Sequence, residues 1–252
     1  MESVGIIGFG AFGQLLAEIL SSHVETVLVN DKQAIKTSIK GVTVSDFQTV
    51  ASAPLVIIAT DLSGIEPVCT QLKPYVSSQT IVMDICSVKE KPQEILQRVL
   101  GDACRAVATH PLFGPQSVEE NGGVKGLAMA VCPNGRDPLP EIHELFKHKI
   151  GLKMLSMTAE DHDKDMAWVH GLTFFVGRTL LNMQPPKSVL ITQYYQKLLD
   201  LVELEKQHSE ALFATIQQGN RYVSDIRQKF TRQTQKIASE LTKNHNCDTI
   251  KG

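Results

Sequence analysis

No two cysteines in this chain are spaced as C-x-x-C. The five present, Cys69, Cys86, Cys104, Cys132 and Cys247, are odd in number. This argues against a disulfide frame or a zinc site and fits free thiols in a reducing compartment. An excess of one charge is missing too: the formal net charge is −2. Such a surface has no basic field to attract nucleic acid or an anionic membrane. A bilayer-spanning run is also absent. The longest apolar-looking stretch, Met166 to Met183, carries His170 and Arg178 and repeats small and polar residues at helical spacing. It reads as a buried helix of a soluble protein. No internal repeat or low-complexity tract is visible. The first strand begins at Val4, which leaves no room for a secretory leader, so a cytoplasmic protein is expected. With 252 residues, 42% of them hydrophobic, the chain is long enough for one large domain or two modest ones.

What is present starts with Val4-Gly5-Ile6-Ile7-Gly8-Phe9-Gly10-Ala11-Phe12-Gly13. A short apolar run meets a G-x-G-x-x-G and then an amphipathic stretch, which predicts strand, tight turn and helix. Gly8 makes the turn, Gly10 lets backbone approach a pyrophosphate, and Gly13 lets the helix sit close on the strand. The helix N–H groups beside Ala11 and Phe12 would face the phosphates. A second strand, Thr26 to Val29, ends at Asp31. An acid about 20 residues past the glycines is placed to hold ribose hydroxyls. A carboxylate there repels a 2′-phosphate, so NAD is favoured, while Lys32 beside it keeps NADP open.

Further along, Val42-Thr43-Val44 alternates as a strand does. Leu55 to Ala59 is a continuous apolar run, as expected for a strand covered on both faces of a parallel sheet. It ends in a loop where Thr60 and Asp61 either line the cofactor or simply make a turn. Thr80 to Asp84 predicts another strand. Ser87 and Glu90 form an S-x-x-E, which predicts a capping box and a helix from about Val88 to Leu100. The Ser87 hydroxyl would also lie at a strand's carboxyl end, within reach of a nicotinamide or substrate. Ala106 to Thr109 is the next strand, and His110 follows at its tip. Pro111 biases His110 toward an extended backbone, and Pro111, Gly114 and Pro115 predict a stiff loop. His110 there is either a general base or a solvated loop histidine. Leu127 to Val131 and Lys153 to Ser156 are further strands, and Pro138 to His148 a helix. This alternation implies a doubly wound, Rossmann-type parallel sheet over residues 1–157.

From Thr158 helix signals take over, and residues 158–252 read as an all-helical second domain. Thr158 and Asp161 make a T-x-x-D cap. The first helix runs to Pro185-Pro186. Ser188 leads a second, Leu212 and Ile216 mark a third closed by Gly219, and Val223 to Leu241 a last long one. The apolar stripes exceed what one small bundle can bury, so a homodimer through this domain is expected. His162 and His170 stand eight residues apart with no third ligand nearby, which argues against metal. His162 either faces a cleft or is a solvent-facing residue of the helix's first turn; His170 reads as an interior histidine.

Together these stretches resemble the prephenate/arogenate dehydrogenase family of tyrosine biosynthesis. Gly8 to Gln14 is similar to its cofactor turn, and Asp84-Ile85-Cys86-Ser87-Val88-Lys89 to its D-x-x-S-V-K. Thr109 to Ser117 resembles its H-P-[ML]-F-G-P-[DE]-S, and His162-Asp163 with Met166-Ala167 its H-D-x-x-M-A. The resemblance spans roughly Val4 to Leu181. It implies oxidative decarboxylation of prephenate to 4-hydroxyphenylpyruvate, with hydride passing to NAD, or the corresponding reaction of arogenate. His110 would contact the hydroxyl that loses its proton, and Ser87 would be a second partner to it or would position the nicotinamide. His162 would line the substrate cleft, and Gln116 and Ser117 would touch the substrate.

The sequence also departs from the pattern. Gln116 replaces the usual acid. Some members hold the substrate carboxylate with an arginine in the second helix of the helical domain. Glu203 or a neighbour aligns there, with Lys197 the nearest cation and Arg178, Arg221 and Arg227 as other candidates. No appended regulatory domain and no fused mutase are expected. Two further readings stand beside this one. One is a different dehydrogenase or imine reductase on the same plan, with no need for His110. The other is a non-catalytic NAD-binding redox sensor.

Overall fold

The apolar runs become strands of one sheet. The computed structural model describes residues 2–133 and 139–248. In chain order it contains β1 (Ser3–Ile7), α1 (Ala11–Ser21), β2 (Thr26–Asn30), β3 (Val42–Val44), α2 (Phe47–Ala51), β4 (Leu55–Ile58), α3 (Leu62–Leu72), β5 (Ile81–Asp84) and α4 (Glu90–Ile95). There follow β6 (Arg105–Pro111), α5 (Pro115–Glu120), β7 (Ala128–Cys132), α6 (Leu139–Ile142), β8 (Lys153–Ser156) and α7 (Ala159–Met166). The last helices are α8 (Thr173–Met183), α9 (Gln193–Lys206), α10 (Glu210–Gly219) and α11 (Val223–Asp248). By contacts the chain divides into two compact units, Met1–Asp163 and Lys164–Gly252.

The sheet order is β3-β2-β1-β4-β5-β6-β7-β8. The six strands from β3 to β6 run parallel, and the pair β7 and β8, parallel to each other, runs the opposite way. The order reverses between β1 and β4, the crevice where open α/β sheets place ligands. Because side chains alternate along a strand, Leu55 and Ile57 of β4 enter one core with Val4, Ile6 and Met83. Val56 and Ile58 enter the other with Ile65, Leu72 and Val82. Helices cover both faces, which is why β4 and β5 are buried throughout.

Several boundaries differ from the sequence expectation. Asp61 is not in a loop: it caps α3, its Oδ1 accepting the Gly64 N–H at 2.9 Å and the Ser63 hydroxyl at 2.8 Å. The helix therefore starts at Leu62. β6 extends through His110 and Pro111 because antiparallel β7 pairs with both, His110 opposite Ala130 and Pro111 opposite Met129. Gln116 and Ser117 belong to the first turn of α5, not to a loop. The helix after β5 widens into a π turn over Leu96–Leu100. Leu139–Ile142 likewise continues as a π turn over His143–Lys149. Pro138, the expected start of that helix, lies outside the described residues, as does the side chain of Cys247.

In the second unit, the expected first helix is interrupted by a π turn at Ala167–Leu172 and ends at Gln184 in the left-handed region, φ 52°. Ser188 does not lead a helix. α9 starts later, where Thr192 accepts the Tyr195 N–H at 3.2 Å. Ser209 caps α10, accepting the Leu212 N–H at 3.1 Å, and α10 ends at Gly219 as its sequence predicts. Among the described residues no helix is long and apolar enough to cross a membrane.

Candidate active site

The crevice is built from the turn after β1. Gly8 has φ 104°, and a Cβ there would lie 2.5 Å from the Ala59 carbonyl oxygen. A Cβ on Gly13 would lie 2.2 Å from the Gly8 carbonyl oxygen, so only glycine lets α1 sit this close. Gly10 is different: a Cβ there would meet nothing within 4 Å. It flanks open space at the start of α1, and that helix carries no side-chain cap. The orphan N–H groups of a helix start beside such space suit a pyrophosphate. Phe12 stacks obliquely on Phe113, ring centres 5.8 Å apart, joining α1 to the chain after β6.

Asp31 ties the end of β2 to this turn. Its Oδ2 accepts the Phe9 N–H at 2.6 Å and its Oδ1 the Gln33 N–H at 2.8 Å. Thr60 follows β4, with its hydroxyl donating to the Asp61 carbonyl at 3.1 Å. The Asp61 carboxylate is engaged as a helix cap, so turn chemistry explains it.

Ser87 follows β5 and His110 lies near the end of β6, and the two strands pair in parallel register. Both therefore reach the carboxyl edge of the sheet. His110 is not at an open rim: only 3% of it is exposed. Its Nδ1 lies 2.9 Å from His162 Nε2, with the two rings edge to face. His162 Nδ1 lies 2.8 Å from Asp163 Oδ1. His162 is buried as well, which overturns the solvent-facing expectation. Thr158 positions this segment as its sequence predicts, its hydroxyl oxygen accepting the Asp161 N–H at 3.0 Å.

The S-x-x-E box does not form. The first amides of α4 are taken by Asp163, whose Oδ1 accepts the Lys89 N–H at 2.8 Å and whose Oδ2 accepts the Glu90 N–H at 3.0 Å. A carboxylate from 74 residues away replaces the local serine. Ser87 is thereby released from the structural role that its spacing predicts.

Beneath His110 lies a buried ion pair. Lys89 Nζ donates to Asp84 Oδ2 at 2.5 Å and to the Thr109 carbonyl. Asp84 also accepts the Cys86 N–H at 2.9 Å, and its carbonyl accepts the Thr109 hydroxyl. Burial pushes the Asp84 carboxyl upward, and the Lys89 ammonium pulls it back. The contacts fasten the ends of β5 and β6 to each other. Burial also raises the thiols of Cys86 and Cys132, to about 11 and about 12, so neither is a ready nucleophile. Sequence reasoning passed over Asp84, Lys89 and Asp163 as functional residues. The signal was available, because all three fall inside the D-x-x-S-V-K and H-D-x-x-M-A stretches.

Gln116 binds along its own helix, Nε2 donating to Glu120 at 2.8 Å, while its Oε1 is buried with no hydrogen-bond partner. Ser117 accepts the Asn121 N–H through its carbonyl. Of the cations considered for the substrate carboxylate, Arg178 is engaged by Glu205 at 2.9 Å and Glu210 at 2.8 Å and lies over the Phe213 ring. Arg227 donates to the carbonyl and side-chain oxygens of Gln217, and Arg221 to the Tyr222 hydroxyl. Glu203 pairs with Lys206 at 2.6 Å.

Comparison with known proteins agrees with this geometry. A family model described as prephenate dehydrogenase, nucleotide-binding domain, matches residues 16–145, and one described as prephenate dehydrogenase, dimerization domain, matches residues 158–251. Arogenate dehydrogenase 1, chloroplastic, of Arabidopsis thaliana is 30% identical over 214 residues, covering 79% of this chain and 33% of its own length. A Methanocaldococcus jannaschii protein named "Probable arogenate/prephenate dehydrogenase" is 27% identical over 207 residues, covering 79% of this chain and 46% of its own. The chain thus spans a third to just under half of these relatives. The fold matches the crystal structure of prephenate dehydrogenase from A. aeolicus in complex with hydroxyphenyl propionate and NAD+. The TM-score is 0.75 at 20% identity, over 98% of this chain and 92% of that one. By the two family models, which together account for most of its length, the chain belongs to the prephenate dehydrogenase family.

Proposed function

We propose that this chain is a prephenate dehydrogenase that uses NAD, forming 4-hydroxyphenylpyruvate and CO2. The observation that carries the reading is an imidazole, His110, held at the ligand edge of the sheet by a second buried imidazole. NAD, when bound, supplies the hydride acceptor. Gly8, Gly10, Ala11, Phe12 and Gly13 would receive its pyrophosphate, because the turn is open at Gly10 and the helix start is uncapped. Asp31 would hold ribose hydroxyls, and Thr60 and Asp61 would border the cofactor through the backbone after β4.

His110 takes the proton of the substrate hydroxyl. As that O–H bond breaks, the oxygen's electron pair forms the carbonyl while the C–H bond of the same carbon breaks and its hydrogen leaves as hydride; the ring aromatises once CO2 has left. General-base help of this kind is worth about 10²–10⁴ in rate. Ser87 aligns the hydroxyl or the nicotinamide, and Gln116 and Ser117 border the substrate. Residues 1–157 form the nucleotide-binding part in this reading, and residues 158–252 the helical part, through which two copies pair. A cytoplasmic location fits the reducing compartment inferred from the free thiols.

Arogenate is the second reading, favoured by the names of the two curated relatives. Gln116 supports the first, since a neutral amide offers less to the ammonium of arogenate than the acid found there in the family. The test is to offer prephenate and arogenate, each with NAD and NADP, to the purified protein and to its His110→Asn variant. Reduction of NAD with prephenate, and a fall in kcat of about 10²–10⁴ in the variant with cofactor binding kept, is expected. Cofactor binding without turnover on either compound would favour a redox sensor.

A further inference from the structure

We propose that His162 and Asp163 are positioning residues that act through His110, and that His162 does not itself bind the substrate. This depends on the dehydrogenase reading above and adds to it how the base is kept in its working form.

Both nitrogens of the His162 ring are engaged within the sheet unit, one by His110 at 2.9 Å and the other by Asp163 at 2.8 Å. The ring is 1% exposed. An imidazole so placed has neither a donor nor an acceptor left for a ligand. The direction of the chain follows from its far end. An ionised carboxylate only accepts, and three N–H groups converge on Asp163: the amides of Lys89 and Glu90 and the His162 Nδ1. His162 therefore carries its proton on Nδ1 and offers the Nε2 lone pair to His110. His110 in turn carries its proton on Nδ1, which leaves the lone pair on Nε2, the nitrogen that takes the substrate proton. Asp163 thus sets the tautomer of a ring two hydrogen bonds away. When His110 gains the substrate proton at Nε2, its Nδ1–H bond to His162 strengthens, and the Asp163 charge stabilises the cation formed. One proton enters the chain and none leaves it.

Asp163 is fixed by the same bonds that start α4. It cannot turn away from His162 without leaving the buried Lys89 amide and the part-buried Glu90 amide unsatisfied, at a cost of about 1–3 kcal/mol for the buried one. Titratable groups buried near this chain include the Asp84–Lys89 pair and the Cys86 and Cys132 thiols. The pair is neutral as a unit and the thiols stay protonated at working pH, so neither competes with Asp163 for the role.

The experiment compares wild type with His162→Leu, His162→Gln, Asp163→Asn and Asp163→Glu. It reads kcat and KM across pH together with the imidazole N–H proton resonances of the protein. In wild type a low-field proton bridging the two rings is expected, and it should be lost in His162→Leu. His162→Leu and Asp163→Asn should lower kcat by about 10²–10⁴ with KM held, and move the acidic limb of the pH profile. His162→Gln, which can still offer an acceptor to His110, should recover part of the rate, and so should Asp163→Glu. Should Asp163→Asn fail to fold, the two His162 variants decide. A raised KM with kcat kept in His162→Leu would make His162 a substrate ligand and overturn the proposal. So would a wild-type protein with no bridging proton, whether or not it turns over. A bridged wild type with no turnover on either substrate overturns the dehydrogenase reading instead.

Discussion

In the sheet unit, polar side chains are buried and apolar ones hidden behind them: Asp84, Lys89, Thr109, His110, His162 and Asp163 are all nearly inaccessible. In the helical unit the opposite holds over a long stretch. Met183, Val189, Leu190, Tyr194, Ile237 and Leu241 are each more than half exposed. Among the described residues, the sheet unit shows only Val44 and Tyr75 as large exposed apolar residues. Burying charge is costly unless each group has its partner, so the first pattern marks a region whose precision is internal. Exposing contiguous apolar surface marks a region that awaits another surface. In the proposed function the first unit holds the chemistry and the second, in the proposed dimer, holds the partner.

The contrast breaks first at Lys89. Lys89→Met removes one partner of a fully buried pair and leaves Asp84 uncompensated. About 3–5 kcal/mol of stability should be lost, measured by denaturant unfolding. Adding Asp84→Asn should return part of it, because the uncompensated charge is then gone. If Lys89→Met is neutral, the buried polar set is not what holds this edge of the sheet together. Gly13→Ala comes next. Its Cβ would press on the Gly8 carbonyl oxygen, a backbone atom that cannot move alone. About 1–3 kcal/mol is expected from such overpacking, with weakened NAD binding in calorimetry. An unchanged affinity would detach the glycine turn from the cofactor.

These same residues show how far the sequence could be read. The glycine turn, the two-sided burial of β4, the Thr158 cap and the stop at Gly219 are local: each is decided within a few residues, and each is where its pattern predicts. Two of the misses are places where a distant partner overrode a local preference. Ser87 and Glu90 have the right spacing for a capping box, but Asp163 arrives from α7 and takes the amides first. His110 is in a strand, not a loop, because β7 supplies a ladder that Pro111 alone could not announce. Gln116 is helical because Pro115 at the first position of α5 starts a turn of helix. That position tolerates proline because no backbone hydrogen bond is lost there. His110 and His162 are 52 residues apart in sequence, and Asp163 is 74 from the Lys89 amide, so the histidine chain was invisible until the fold assembled it.

The helical half of the comparison is sharpened at its surface. If a second copy covers Tyr194 and Leu198, then Leu198→Asp should weaken association by about 1–2 kcal/mol, or more if it is an anchor. Sedimentation should show a shift toward monomer while the far-ultraviolet circular dichroism is kept. An unaltered oligomeric state would move the interface elsewhere on the exposed apolar surface.

The smallest effect tests whether burial, and not mere membership of the sheet unit, is what makes its charges matter. Arg105 and Glu141 form a two-pronged pair, at 2.6 and 2.9 Å, but their side chains are 28% and 42% exposed. The hydrogen bond from Arg105 holds the Glu141 carboxyl below the usual carboxylate range. A carboxyl lowered on folding stabilises fully above its unfolded pKa, and the gain is lost as pH falls through the folded value. Solvent screens so exposed a pair, which limits it to about 0–1 kcal/mol. Glu141→Gln should therefore cost little at neutral pH, less in high salt, and nothing once the pH is below the carboxylate range. If it cost as much as Lys89→Met, the distinction between charges that build the site and charges that merely decorate the surface would fail.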